Sequence, residues 1–167
     1  MEDCMQQVNN KAFTLVELIV TIAILAIIMV IAAPSFATAY TRQKLDSSAR
    51  ELVMKVAEAQ TKAVGLRDTT VICLDTLSKQ NCLKALIGTD PDANDVDNDY
   101  EKNKERIFIA SLDQGVTADS LSISSLKFRK NGSLATAANF VLVRNGLSYC
   151  IKVGITGDTS IKEGACT

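Results

Sequence analysis

The stretch FTLVELIVTIAILAIIMVIAA, from Phe13 to Ala33, constrains this chain more than any other part of it. Only Thr14, Glu17 and Thr21 interrupt its apolar character. As a helix it would extend about 31 Å, enough to cross the hydrocarbon layer of a bilayer. A carboxylate within such a segment is costly and so marks a functional position. Any account of the segment therefore has to explain Glu17.

Three readings fit the segment. A secretory signal peptide would be cut after Ala37-Thr38-Ala39, which has the small-x-small pattern. Against it, the acid sits early in the apolar region and the basic flank is poor, since Lys11 is offset by Glu2 and Asp3. A plain membrane anchor is the second reading; it gives Glu17 no role, and Lys11 alone supplies a weak positive-inside signal.

The third reading is a resemblance. Ala12-Phe13-Thr14-Leu15-Val16-Glu17, followed by the apolar run and Pro34, resembles the class III signal of type IV pilins and type II secretion pseudopilins. The resemblance implies that a prepilin peptidase cuts between Ala12 and Phe13, that Phe13 is then N-methylated, and that Glu17 directs assembly. Ala12 stands where the family usually carries Gly, and the leader is acidic where basic residues are usual. Cutting there would remove Cys4, the odd cysteine of five.

The rest of the chain is long enough, within 167 residues, to bury one core. The net charge of −1 gives no whole-chain case for a nucleic-acid or anionic-surface partner. There is no histidine and no tryptophan, so the commonest general base and metal ligand are missing. No nucleophile, base and orienter can be assembled from neighbouring residues, and neither an enzyme nor a cofactor is expected. In an oxidising compartment Cys73, Cys82, Cys150 and Cys166 form two disulfides, with three pairings open; the local ones, Cys73 with Cys82 and Cys150 with Cys166, are favoured.

Beyond Pro34 the helical period continues through Leu45, Ala49, Leu52, Val53, Val56, Gln60 and Ala63, with only Gln60 spoiling the stripe. Asp46 and Arg50, Glu51 and Lys55, and Glu58 and Lys62 form acid-first pairs at i and i+4 on the other face. Gly65 is the expected stop, and Pro34 the expected kink. The period then changes to two. Strands are expected at residues 69–75, 83–88, 106–112, 121–129, 139–144 and 147–153, with hairpin turns at Asn131-Gly132 and Asn145-Gly146.

The expected fold is α+β, a long amino-terminal helix, transmembrane in its first half, packed on an antiparallel sheet. The expected organisation is a leader (1–12), a transmembrane and assembly helix (13–34), an amphipathic stalk helix (35–65) and a β-rich head (66–167). Within the resemblance, strand count points to the GspH/FimT group of minor pilins, FimU-like. That implies a structural subunit at or near the pilus tip, a minor pseudopilin being the alternative. Implied partners are the prepilin peptidase, other minor pilins, the major pilin and the inner-membrane assembly platform. The implied location is the bacterial inner membrane with a periplasmic head, then the surface pilus.

Two charged segments remain. TDPDANDVDNDYE places Asp90, Asp92, Asn94 and Glu101 at positions 1, 3, 5 and 12 of a calcium loop. Asp95 replaces the turn glycine, so a solvated loop without flanking helices is the preferred reading. From Ser120 to Gly157 there are five bases and no acid, among them Lys127 and Arg129 on one strand face. These could meet DNA phosphates, as in a DNA-uptake receptor. The carboxy-terminal arginine motif of the DNA-binding FimT proteins is absent, so nucleic acid is not an expected partner.

Overall fold

The computed structural model describes residues 14–92, 95–120 and 122–166. Helix α1 runs without interruption from Leu15 to Leu66. The chain divides into two compact units, one ending at Ala39 and one beginning at Tyr40. In the first unit α1 exposes its whole apolar surface, Leu15 and Val16 being 72% and 68% exposed. Among the described residues it is the one helix long and apolar enough to cross a membrane.

In the second unit most of the stripe read from the sequence is the buried one. Leu45, Ala49, Leu52, Val56 and Ala63 are fully enclosed, joined by Ala59, which the reading left out, while Val53 is only partly buried. Gln60 belongs there because its amide Nε2 donates to the carbonyls of Gly132 (3.0 Å) and Thr156 (2.6 Å). The helix does not stop at Gly65. Arg67 takes the left-handed conformation (φ 52°), with Arg67 N–H donating to Val64 and Asp68 N–H to Ala63, a Schellman end without glycine. Of the expected surface pairs, Asp46 and Arg50 meet at 2.7 Å, whereas Lys55 bonds Glu58 at 2.9 Å, a partner one helical turn onward.

Two sheets pack on α1. Strands β1 (Thr70–Leu74), β2 (Ile107–Ala110) and β4 (Ser125–Phe128) form the first, in order β2-β1-β4. Strands β3 (Thr117–Ala118), β5 (Ala138–Arg144), β6 (Leu147–Val153) and β7 (Thr159–Glu163) form the second, in order β3-β5-β6-β7. The fold is α+β. The second sheet is antiparallel throughout, while β1 and β2 run parallel. One core joins Leu52 and Val56 of α1 to Ile72, Phe128, Phe140, Leu142 and Ile151.

The parallel pair needs a crossover, and this replaces a strand expected from the sequence. Residues 83–88 are not a strand: they complete helix α2, Lys79–Ile87, followed by α3, Val96–Asn103. Cys82, Leu83 and Leu86 recur at helical spacing and pack on Val71 and Cys73 of β1 and Ile107 of β2, the face of the sheet away from α1. Ser78 caps the start by accepting the Asn81 N–H at 3.3 Å, and Gly88 (φ 84°) closes the end. With helices on both faces β1 is buried at every residue, which is why its sequence does not alternate. Asn145-Gly146 forms the expected hairpin, both residues at positive φ, with Arg144 opposite Leu147. Asn131-Gly132 does not, because β4 and β5 lie in different sheets; there only Gly132 has positive φ.

Candidate functional site

The first turn of α1 carries the residue singled out by the sequence. Thr14 precedes the helix; its hydroxyl accepts the Glu17 N–H at 3.2 Å and its carbonyl accepts the Leu18 N–H at 3.2 Å. Thr14 is thus the N-cap and Glu17 the third helical residue. The Thr-x-x-Glu spacing of a capping box was legible in the sequence but unused. A carboxylate in the first turn also faces the positive end of the helix dipole. Ala12 and Phe13 lie outside the described residues.

Thr14 and Thr21 apart, the surface around Glu17 is apolar and exposed, formed by Leu15, Val16, Leu18 and the residues beyond. The threonines of this stretch hide their hydroxyls: Thr21 Oγ1 donates to the Leu18 carbonyl (2.8 Å) and Thr38 Oγ1 to the Pro34 carbonyl (3.2 Å). Internal bonds of this kind suit a helix in lipid. Pro34 lies inside the helix and has no N–H to give the carbonyl one turn before it. Among the described residues no basic side chain pairs with the Glu17 carboxylate.

In the second unit, disulfides join Cys73 to Cys82 and Cys150 to Cys166. The first fixes α2 on β1, and the second holds the carboxy-terminal tail against β6. Where Tyr40 begins the unit, loops clasp α1. Lys44 Nζ meets Asp113 Oδ1 at 2.9 Å, Ser48 Oγ accepts the Asp113 N–H at 2.9 Å, and Asn145 Nδ2 donates to Thr41 Oγ1 at 3.3 Å. Lys44 and Arg144 both lie over the Tyr40 ring, at 5.9 and 5.4 Å. The Lys44 hydrogen bond holds the Asp113 carboxyl below the usual range, and the same bond raises Lys44.

Among the described residues the calcium candidates do not converge on one site. Asp90 pairs with Lys84 at 2.6 Å and Glu101 with Lys104 at 3.0 Å. Asp92 offers its carbonyl to the Asp95 N–H, and Asn94 lies outside the described residues. Among the described residues no three His, Cys, Asp or Glu side chains converge on a metal position. Part of the acidic segment is helical after all, since Val96 begins α3. The basic segment is dispersed too. Lys127 donates to the Leu86 carbonyl at the end of α2, Arg144 donates to the Gln114 carbonyl, and Arg129 stays exposed.

Residues 8–33 match the prokaryotic N-terminal methylation motif. No curated protein and no solved structure matches the chain. The motif spans the junction of Ala12 with Phe13, Glu17 and the exposed apolar helix. It supports a type IV pilin-like chain, a pilin or a pseudopilin, that is processed by a prepilin peptidase, anchored in a membrane and assembled with other such subunits.

Proposed function

We propose that the chain is a minor type IV pilin of the GspH/FimT group, a structural subunit that helps prime pilus assembly at or near the tip. The observation that carries this reading is the methylation motif ending in a capped, exposed apolar helix with one carboxylate, Glu17. Residues 1–12 are the leader, 13–34 the transmembrane and assembly helix with a kink at Pro34, 35–65 the stalk helix, and 66–167 the head. The head lies in the periplasm before assembly. Other minor pilins, the major pilin and the inner-membrane assembly platform are its partners, and it catalyses nothing.

The chemistry follows from charge burial. Cleavage before Phe13 creates an amino group, and packing of parallel helices buries both it and the Glu17 carboxylate. Each is expensive alone in apolar surroundings, and together they form an ion pair across two subunits. Intact-mass measurement of the membrane form tests the reading: it should begin at Phe13 with one added methyl group. A chain beginning at Tyr40 would establish a signal peptide instead.

A further inference from the structure

The two disulfides differ in access and in surroundings. Cys73 and Cys82 are 0% and 1% exposed and lie in an apolar cluster with Val71, Leu83, Leu86 and Ile107. Of the second pair Cys150 is fully enclosed, but Cys166, beyond the last strand, is only half-buried. On β6 Ile151 and Val153 face the core, so Cys150 and Lys152 belong to the outer face of the second sheet. Lys162 of β7 stands directly across from Cys150 in the antiparallel register and so shares that face.

We propose that the Cys150–Cys166 bond is a redox-sensitive latch, opened in the folded protein by a dithiol reductant while Cys73–Cys82 stays closed. A thiolate must reach one sulfur of a disulfide and expel the other as a thiolate. Cys166 gives the access, and the ammonium groups of Lys152 and Lys162 favour the departing Cys150 thiolate. The Cys73–Cys82 bond lacks that access, and its thiolate would form among apolar side chains. In the first step one thiolate of the dithiol bonds to Cys166 Sγ, the Cys150–Cys166 bond breaks, and Cys150 takes a proton from solvent. In the second, the other thiolate of the dithiol attacks its own sulfur in the mixed disulfide and Cys166 leaves, to be protonated in turn. The two electrons gained by the cysteines come from the dithiol, which ends as a disulfide. Besides this bond, the Gly164 N–H ties the tail to the sheet by donating to the Ser148 carbonyl at 2.8 Å. Opening the latch loosens that tail and uncovers the outer face at Val141 and Val143, beside which Ala165 and Cys166 lie.

The full-length chain in detergent, incubated with graded dithiothreitol, trapped with iodoacetamide and mapped by peptide, tests the proposal. Cys150 and Cys166 should be alkylated about tenfold faster than Cys73 and Cys82. Amide exchange at Gly164 should speed up with them, while the amides of β1 stay protected. Lys162→Gln should slow the opening about threefold and Lys162→Arg should keep it; Lys152→Gln repeats the test if the first variant folds poorly. Equal rates for the two bonds, or opening only together with loss of protection in β1, overturns the latch. A rate unaltered by both glutamine variants overturns the part given to the lysines. None of these outcomes bears on processing at Phe13, so the proposed function stands or falls separately.

Discussion

The Thr14 hydroxyl accepts the backbone N–H of Glu17 at 3.2 Å, so the residue proposed to follow the processed amino terminus also starts the helix that carries the assembly carboxylate. A threonine side chain replaces a bond that α1 cannot provide at its own end. The backbone at Glu17 is thereby held in the helix before any partner arrives. Thr14→Ala should weaken the first turn by about 1 kcal/mol, while Thr14→Ser should keep it. Amide hydrogen exchange at Glu17 and Leu18 in detergent should speed up severalfold in the alanine variant alone. Unchanged protection would mean that the cap contributes nothing.

Asp113 and Lys44 make the stability of the second unit depend on pH at both extremes. The Asp113 carboxyl is held below its ordinary value near 3.8, so its contribution is present above that value and is lost as pH falls through the folded one. Lys44 is raised above 10.5, so its contribution is present below that pH and is lost as pH rises through the folded value. Urea unfolding of the wild type and of Asp113→Asn should therefore differ at neutral pH and converge below pH 3.8. A gap that persists in acid would point to a packing role for Asp113.

Gln60 is a polar residue in an otherwise apolar stripe, and two loop carbonyls depend on it. Gln60→Leu fits the stripe better by hydropathy, yet it leaves the Gly132 and Thr156 carbonyls without that donor. The variant should lose about 1–3 kcal/mol in denaturant unfolding. A gain in stability would show that both carbonyls find water instead.

The two disulfides close spans of 9 and 16 residues. On the chain-entropy account, replacing Cys73 and Cys82 by serine should cost about 2.5 kcal/mol and replacing Cys150 and Cys166 about 3 kcal/mol. Losing the second should also free the tail beyond β7, readable as faster exchange at Gly164, whose N–H donates to the Ser148 carbonyl. Peptide mapping without reduction identifies the bonds; free thiols in all four positions would remove the prediction.

What could be read in advance follows from how local each signal is. The α1 stripe and the Leu147–Val153 alternation are properties of contiguous residues facing one environment, and both stand in the structure. Helix α2 escaped because Leu83–Gly88 is short and apolar, and only its packing on the second face of β1 decides between helix and strand. The turn at Asn131 misled for a similar reason: Asn-Gly permits a hairpin, but whether the flanking strands share a sheet is a long-range matter. At the candidate site, Glu17 was visible as a charge in the wrong company, whereas the clasp of Asp113 on Lys44 was not. Lys44 and Asp113 are 69 residues apart, and nothing in either neighbourhood announces the other.

Glu17 gives the most direct test of the proposed function. The carboxylate lies in the first turn of an exposed helix; on the proposed function it sits before assembly close enough to the membrane edge for water to limit its cost. In a packed fibre that water would be gone, and the cation created at Phe13 of a neighbouring subunit would take its place. The pair would then fix the axial register of one subunit against the next. Glu17→Ala should leave insertion and processing at Ala12 largely intact but reduce incorporation into the fibre. Glu17→Asp should be intermediate, because the shorter arm loses the contact and keeps the charge. A glutamate that merely reaches for the interface predicts normal incorporation for both. Quantifying this subunit in sheared pili from the three strains decides between them, and equal amounts in all three would leave Glu17 without an assembly role.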